Sequence, residues 1–159
     1  MESYSEYREA REALAEMERG EASPYVDYPR TPGWYPLTVG VWAGALVLAI
    51  ALLQRSTWLG ALAIVGLVVL EGAFLGWYQR LHGALPSLRN PPAEFRPLFQ
   101  RYAFGFCTIL GVAVALWFIT NPWVTAIAIT VLATGGIAAY ERAYAAAAIR
   151  TRARLGRTA

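Results

Sequence analysis

Four apolar stretches dominate residues 35–139, and together they carry a single charge. They run from about Tyr35 to Leu53, Thr57 to Tyr78, Tyr102 to Thr120 and Pro122 to Ala139. Crossing a bilayer takes about 20 residues at roughly 1.5 Å each, so every stretch is long enough. With 57% hydrophobic and 16% charged residues, the chain lacks the polar surface to cover four such helices in water. The chain opens on a charged segment and its first apolar run starts near residue 35, so no cleavable signal peptide is expected. The pattern predicts an all-α fold, an integral membrane four-helix bundle made of two transmembrane hairpins. A short cytoplasmic amphipathic helix and a Pro-rich linker (1–33) precede the membrane domain (34–148), and a basic tail (149–159) follows it.

Arginine placement sets the expected orientation, because cytoplasmic segments hold the excess of basic residues. Arg8, Arg11, Arg19 and Arg30 precede the first span. Arg80, Arg89, Arg96 and Arg101 lie between spans two and three, and Arg142, Arg150, Arg152, Arg154 and Arg157 follow span four. The opposite side has only Arg55, in the turn Gln54-Arg55-Ser56. Both termini are therefore expected in the cytoplasm, with the chain multi-pass in the inner (plasma) membrane. Trp34, Tyr35, Trp77, Tyr78, Tyr102, Tyr140 and Tyr144 fall at the inner headgroup level, and Trp58, Trp117 and Trp123 at the outer one. Asn121-Pro122 reads as a capping side chain before a first-turn proline, closing a tight outer turn.

Residues 2–19 read as a soluble helix that Gly20 ends, and Tyr7, Ala10, Leu14 and Met17 recur on it at spacings of three, four and three. That narrow seam is too short for a coiled coil alone, and Tyr7, Leu14 and Met17 are candidate docking residues for a second copy or a partner. Its six glutamates against three arginines in residues 1–20 oppose binding to an anionic leaflet. Pro24, Pro29, Pro32 and Gly33, with Tyr25 and Tyr28, indicate an extended linker over 21–33. Pro86, Pro91, Pro92 and Pro97 break the loop over about 79–100. Its Leu81, Leu85, Leu88, Phe95, Leu98 and Phe99 are apolar enough to rest on headgroups or to pack on the bundle's inner end. The fourth helix is expected to leave the bilayer and continue through Ala148 or beyond.

Glu71 is the candidate functional residue. It stands seven residues, roughly 10 Å, from Tyr78. A carboxylate at that depth is costly by about a few kcal/mol, so it should face protein or water and be protonated or paired. Thr108 and Thr134 fall near the same depth, with Thr38 slightly nearer the cytosol, and could surround it with hydroxyls. Either Glu71 is a proton or cation site, or it is a neutral hydrogen-bonding residue for helix association. Gly72 and Gly76 share small-xxx-small spacing with Gly40 and Gly44, which predicts close approach of spans one and two if those faces meet. Gly135 and Ala139 begin a similar ladder on span four.

The catalytic and metal inventory is thin. One His (His82), one Cys (Cys107) and one Asp (Asp27) exclude a disulfide framework, a zinc cluster and bis-histidine haem. No Gly-rich phosphate loop occurs, and four tail arginines without an aromatic platform do not make a nucleic-acid site. No metal, cofactor or enzymatic activity is expected. The start Glu6-Tyr7-Arg8-Glu9-Ala10-Arg11-Glu12, and Pro32-Gly33-Trp34-Tyr35-Pro36 entering the first span, resemble small four-span integral membrane proteins of actinobacteria whose activity is uncharacterised. The resemblance implies architecture and carries no activity.

Two functional classes follow from the residues. One is a non-enzymatic membrane component, an interaction or regulatory subunit presenting its N-terminal helix. The other is a small oligomeric transporter or channel coupled through Glu71. The topology underlying both is directly measurable: a cysteine at Ser56 should react with an impermeant thiol reagent outside the cell, and one at Ser87 should not.

Overall fold

A computed structural model describes residues 2–27, 31–82 and 91–157 of the chain. The described residues form five helices: α1 (Glu2–Val26), α2 (Tyr35–Arg55), α3 (Thr57–His82), α4 (Arg96–Ile119) and α5 (Pro122–Arg157). Four of them, α2 to α5, are long and apolar enough to cross a membrane. Of the residues expected in linkers, Tyr28, Pro29, Arg30, Leu85, Pro86, Leu88 and Arg89 lie outside the described set, as do the side chains of Leu81 and His82.

The hairpin turns follow local chemistry. Ser56 ends α2 in an extended conformation and donates its N–H to Leu52 O at 2.8 Å. Asn121 starts α5 as expected: its Oδ1 accepts the N–H groups of Trp123 and Val124, both at 3.0 Å. Two N–H groups that a helix start leaves without partners are thereby satisfied.

The hairpins join through α2 and α5, and the Gly40 and Gly44 face of α2 meets α5, not Gly72 and Gly76 of α3. Gly40 and Gly44 are buried against Thr134, Thr130 and Ala126 of α5. A Cβ on Gly40 would stand 2.5 Å from Thr130 O, and one on Gly44 would stand 2.9 Å from Ala126 O. The facing hydroxyls are already bonded within α5, Thr130 to Ala126 O at 2.8 Å and Thr134 to Thr130 O at 2.7 Å. The surface offered to the glycines thus needs no further polar partner, and the backbones come close. Gly72, Gly76 and Gly135 have nothing near their missing side chains, and Ala139 is exposed. The expected pairing of Gly72 and Gly76 with α2 is therefore corrected. What holds α3 to α2 at the turn between them is Gly60, lying against the backbone of Leu53.

Helix adjacency runs α3–α2–α5–α4. Among the described residues α3 and α4 do not meet, and neither do α2 and α4. The two hairpins are present, but the helices do not close into the ring of a four-helix bundle. Small residues draw α2 onto α5, while α4 offers bulky ones (Phe104, Phe106, Phe118) that remain exposed. The open side leaves a cleft.

The first helix also departs from expectation. It passes Gly20 and contains Pro24, ending only at Val26. Pro24 removes one N–H in the last turn, yet Asp27 N still donates to Ser23 O at 2.9 Å. Burial of Ala22, Tyr25 and Val26 accounts for this extension beyond local propensity.

These contacts set an order of sensitivity. Gly40→Val and Gly60→Val should each lower stability in detergent by about 1–3 kcal/mol, since neither site can yield without moving backbone. Gly72→Ala and Gly76→Ala should be neutral or slightly stabilising, because alanine meets open space there and favours the helix by up to about 1 kcal/mol.

Candidate functional site

Two regions bring polar and aromatic chemistry together. The first is a clamp at the arginine-rich end. Phe95, fully buried, sits between Tyr25 and Tyr144, with ring centroids 5.5 and 5.0 Å away. The rings continue, tilted, from Tyr144 to Tyr140 at 6.0 Å and from Tyr140 to Tyr102 at 4.9 Å. Leu98, Ala147 and Ala148 complete this core. For Phe95 and Leu98, packing against the helical end is the reading the structure bears out over rest on headgroups.

Hydrogen bonds fix the end of α1 onto this core. The Tyr144 hydroxyl donates to Tyr25 O at 3.0 Å, and Arg152 donates to Val26 O at 2.6 Å. Both acceptors are last-turn carbonyls of α1, which lack helical partners, and a cation suits that end of the dipole. Arg154 donates to Glu94 at 2.6 Å and pairs also with Glu18 of α1. Thr31 donates to Glu141 at 2.6 Å, returning the chain to α5. Two of the tail arginines, Arg152 and Arg154, thus act as ties between helices, whereas the sequence suggested only an orientation signal.

Desolvation pushes the Glu94 carboxyl up, but its own backbone N–H, Arg154 and the Thr151 hydroxyl outweigh that and hold it below its ordinary value.

The second region is the cleft, about 1110 Å³, floored by α5 between α2 and α4. Its walls are almost wholly apolar, and among the residues lining it only Glu71 and Arg101 are charged. Glu71 reaches it from α3, half-buried at the rim. One turn away Trp42 donates its indole N–H to Leu67 O at 3.4 Å, spanning α2 and α3. Beneath lie the rings of Tyr35, Phe74 and Tyr78, with Tyr35 stacked on Tyr78 at 5.9 Å and Tyr78 only 7% exposed.

The expected ring of hydroxyls does not form around the acid. Thr38 donates to Trp34 O at 3.3 Å, Thr108 to Phe104 O at 2.9 Å, and Thr134 to Thr130 O beside Gly40. Among the described residues no hydrogen bond or ion pair reaches the Glu71 carboxylate. Cys107 is exposed on α4, and no group of His, Cys, Asp or Glu among the described residues could hold a metal ion.

The residues Tyr7, Leu14 and Met17 lie on the free part of α1, at 61%, 65% and 64% exposure. The sequence missed Glu94, Thr151 and Gly60. Only Glu94 carried a signal, as one of three acids beyond residue 27. No protein-family model, curated protein or solved structure matches this chain.

The Glu94–Arg154 tie has a pH signature. A carboxyl held lower in the folded state stabilises above its unfolded value and loses that contribution as pH falls through the folded one. Protection of residues 18–27 against hydrogen exchange should therefore persist at neutral pH and decline below 4.5, the ordinary value for Glu94. Arg154→Gln should show the loosened behaviour already at pH 7.

Proposed function

We propose that the chain is a non-enzymatic component of the inner (plasma) membrane, with both termini cytoplasmic, that presents α1 as a docking helix. The carrying observation is that α1 is fastened at its base and free along its apolar seam. Ala22, Tyr25 and Val26 are buried, while residues 6–14 are exposed throughout. Residues 2–17 amount to about 24 Å of helix beyond the clamp.

An isolated helix this short is marginal in water, because nucleation costs more than a few turns recover. Here the clamp supplies an already ordered final turn, so less ordering remains to be done when a partner binds. Tyr7, Leu14 and Met17 supply the apolar contact, and the surrounding glutamates keep the helix off an anionic leaflet. The partner is a second copy or a separate protein.

Transport through Glu71 is the second reading, supported by the position of that acid on the cleft. The cleft's apolar lining weighs against it, as an aqueous path needs polar groups along its length.

Two outcomes separate the readings. Deleting residues 2–17, or Leu14→Asp alone, should leave the spans folded and abolish α1-mediated self-association or co-purification with a partner. Loss of membrane insertion would contradict the separation of arm and spans. In liposomes the wild type should show no pH-dependent proton or sodium flux. A flux that Glu71→Gln removes without unfolding the protein would instead establish transport.

A further inference from the structure

The cleft has the height of a whole bilayer. On α4 its lining extends from Leu98 to Phe118, about 30 Å at the rise of a helix, which matches the full hydrocarbon thickness. An acyl chain of one leaflet covers about half of that height. Its surface is also suited to close packing. Gly105 has open space where a side chain would be, and Gly136 meets nothing closer than Ile109 at 3.4 Å. With Ala133 and Ala139 they line the same cleft, and small residues let a further helix backbone approach.

Glu71 stands at the edge of this trough without a partner among the described residues. Intramembrane carboxylates pair with basic groups or face water, because leaving them in hydrocarbon is costly. A second copy of this chain cannot supply the basic group. The arginines nearest its four apolar stretches are Arg55, Arg80, Arg96, Arg101 and Arg142, all beyond the ends of those stretches and none level with Glu71.

We propose that the cleft between α2 and α4 seats one transmembrane helix of a partner protein, which carries a basic side chain level with Glu71. That side chain lies about seven residues, roughly 10 Å, inside the arginine-rich interface, the depth of Glu71 relative to Tyr78. Small residues of the floor admit the incoming backbone, and the carboxylate fixes which helix is accepted and at what height. This rests on reading the chain as an interaction component, but it does not involve α1, so the two sites fail or succeed separately.

The test uses the full chain in vesicles and designed transmembrane peptides of leucine and alanine. One peptide has a lysine at the depth of Glu71, a second has leucine there, and a third has its lysine in the opposite leaflet. Energy transfer is read from labelled peptide to an acceptor on a cysteine at Ser56, in a Cys107→Ala background. The matched lysine peptide should bind at least about tenfold more tightly than the other two. Glu71→Gln, close in size, should reduce it to the level of the leucine peptide. Gly105→Leu and Ala133→Leu, which fill the cleft and leave Glu71 intact, should each weaken it. Deleting residues 2–17 should change nothing.

Equal transfer from all three peptides would overturn the proposal in favour of unselective lipid or helix contact. So would displacement of every peptide by unlabelled copies of the chain, which would make the occupant a second copy. Binding unaffected by Glu71→Gln would remove the acid from the site.

Discussion

The contact of Gly40 and Gly44 with Thr130 and Thr134 governs the rest of the structure. In hydrocarbon no hydrophobic force drives helix against helix, so association depends on how closely backbones and small side chains approach. Here one helix has removed its side chains at two positions a turn apart, and the other has folded its hydroxyls back onto its own carbonyls. The joint unites two hairpins that otherwise touch little. Because it lies between α2 and α5, α3 and α4 are left at the outside, and the open side between α2 and α4 is the cleft.

At the arginine-rich end a different force takes over. Phe95, Tyr25 and Tyr144 build a small aromatic core, and charged groups fix its geometry around the carbonyls that end α1. The same α5 helix serves both regions: its first half meets glycines, and its alanine-rich extension (Ala147, Ala148, Thr151) receives α1 and the Phe95 turn. A single continuous helix thus couples the height of the arm to the membrane part. Trp34, Trp77, Trp58, Trp123 and Tyr102 stay exposed, while Tyr35, Tyr78, Tyr140 and Tyr144 pack between helices and Trp117 lines the cleft.

The elements legible in the sequence were those specified locally. Apolar length located the four long helices, and Asn121-Pro122 located the start of α5. The glycine spacing on α2 marks a packing face, but spacing cannot name the opposing helix, and Thr134, which depth makes a candidate neighbour of Glu71, faces Gly40 instead. The end of α1 lies beyond Gly20 and Pro24, strong local stop signals that are overridden by burial of residues such as Tyr25, whose carbonyl is bonded by Tyr144 more than a hundred positions away. The pairing of Arg154 with Glu94 and Glu18 is nonlocal in the same way. Glu71 stood out as a lone acid in a span. What surrounds it depended on which helices are neighbours, and composition carries no record of that.

The central claim is the open order α3–α2–α5–α4. It is tested most directly by electron–electron double resonance in lipid nanodiscs. The labels are placed at Leu70 on α3 and Leu110 on α4, both exposed, with Cys107 replaced. A closed four-helix ring brings these helices to an interaxial spacing of about 8–10 Å. The open order predicts a separation clearly longer than that of a reference pair on α2 and α5, such as Ile50 and Ile127. A Leu70–Leu110 distance equal to or shorter than the reference would contradict the open arrangement, and with it the cleft.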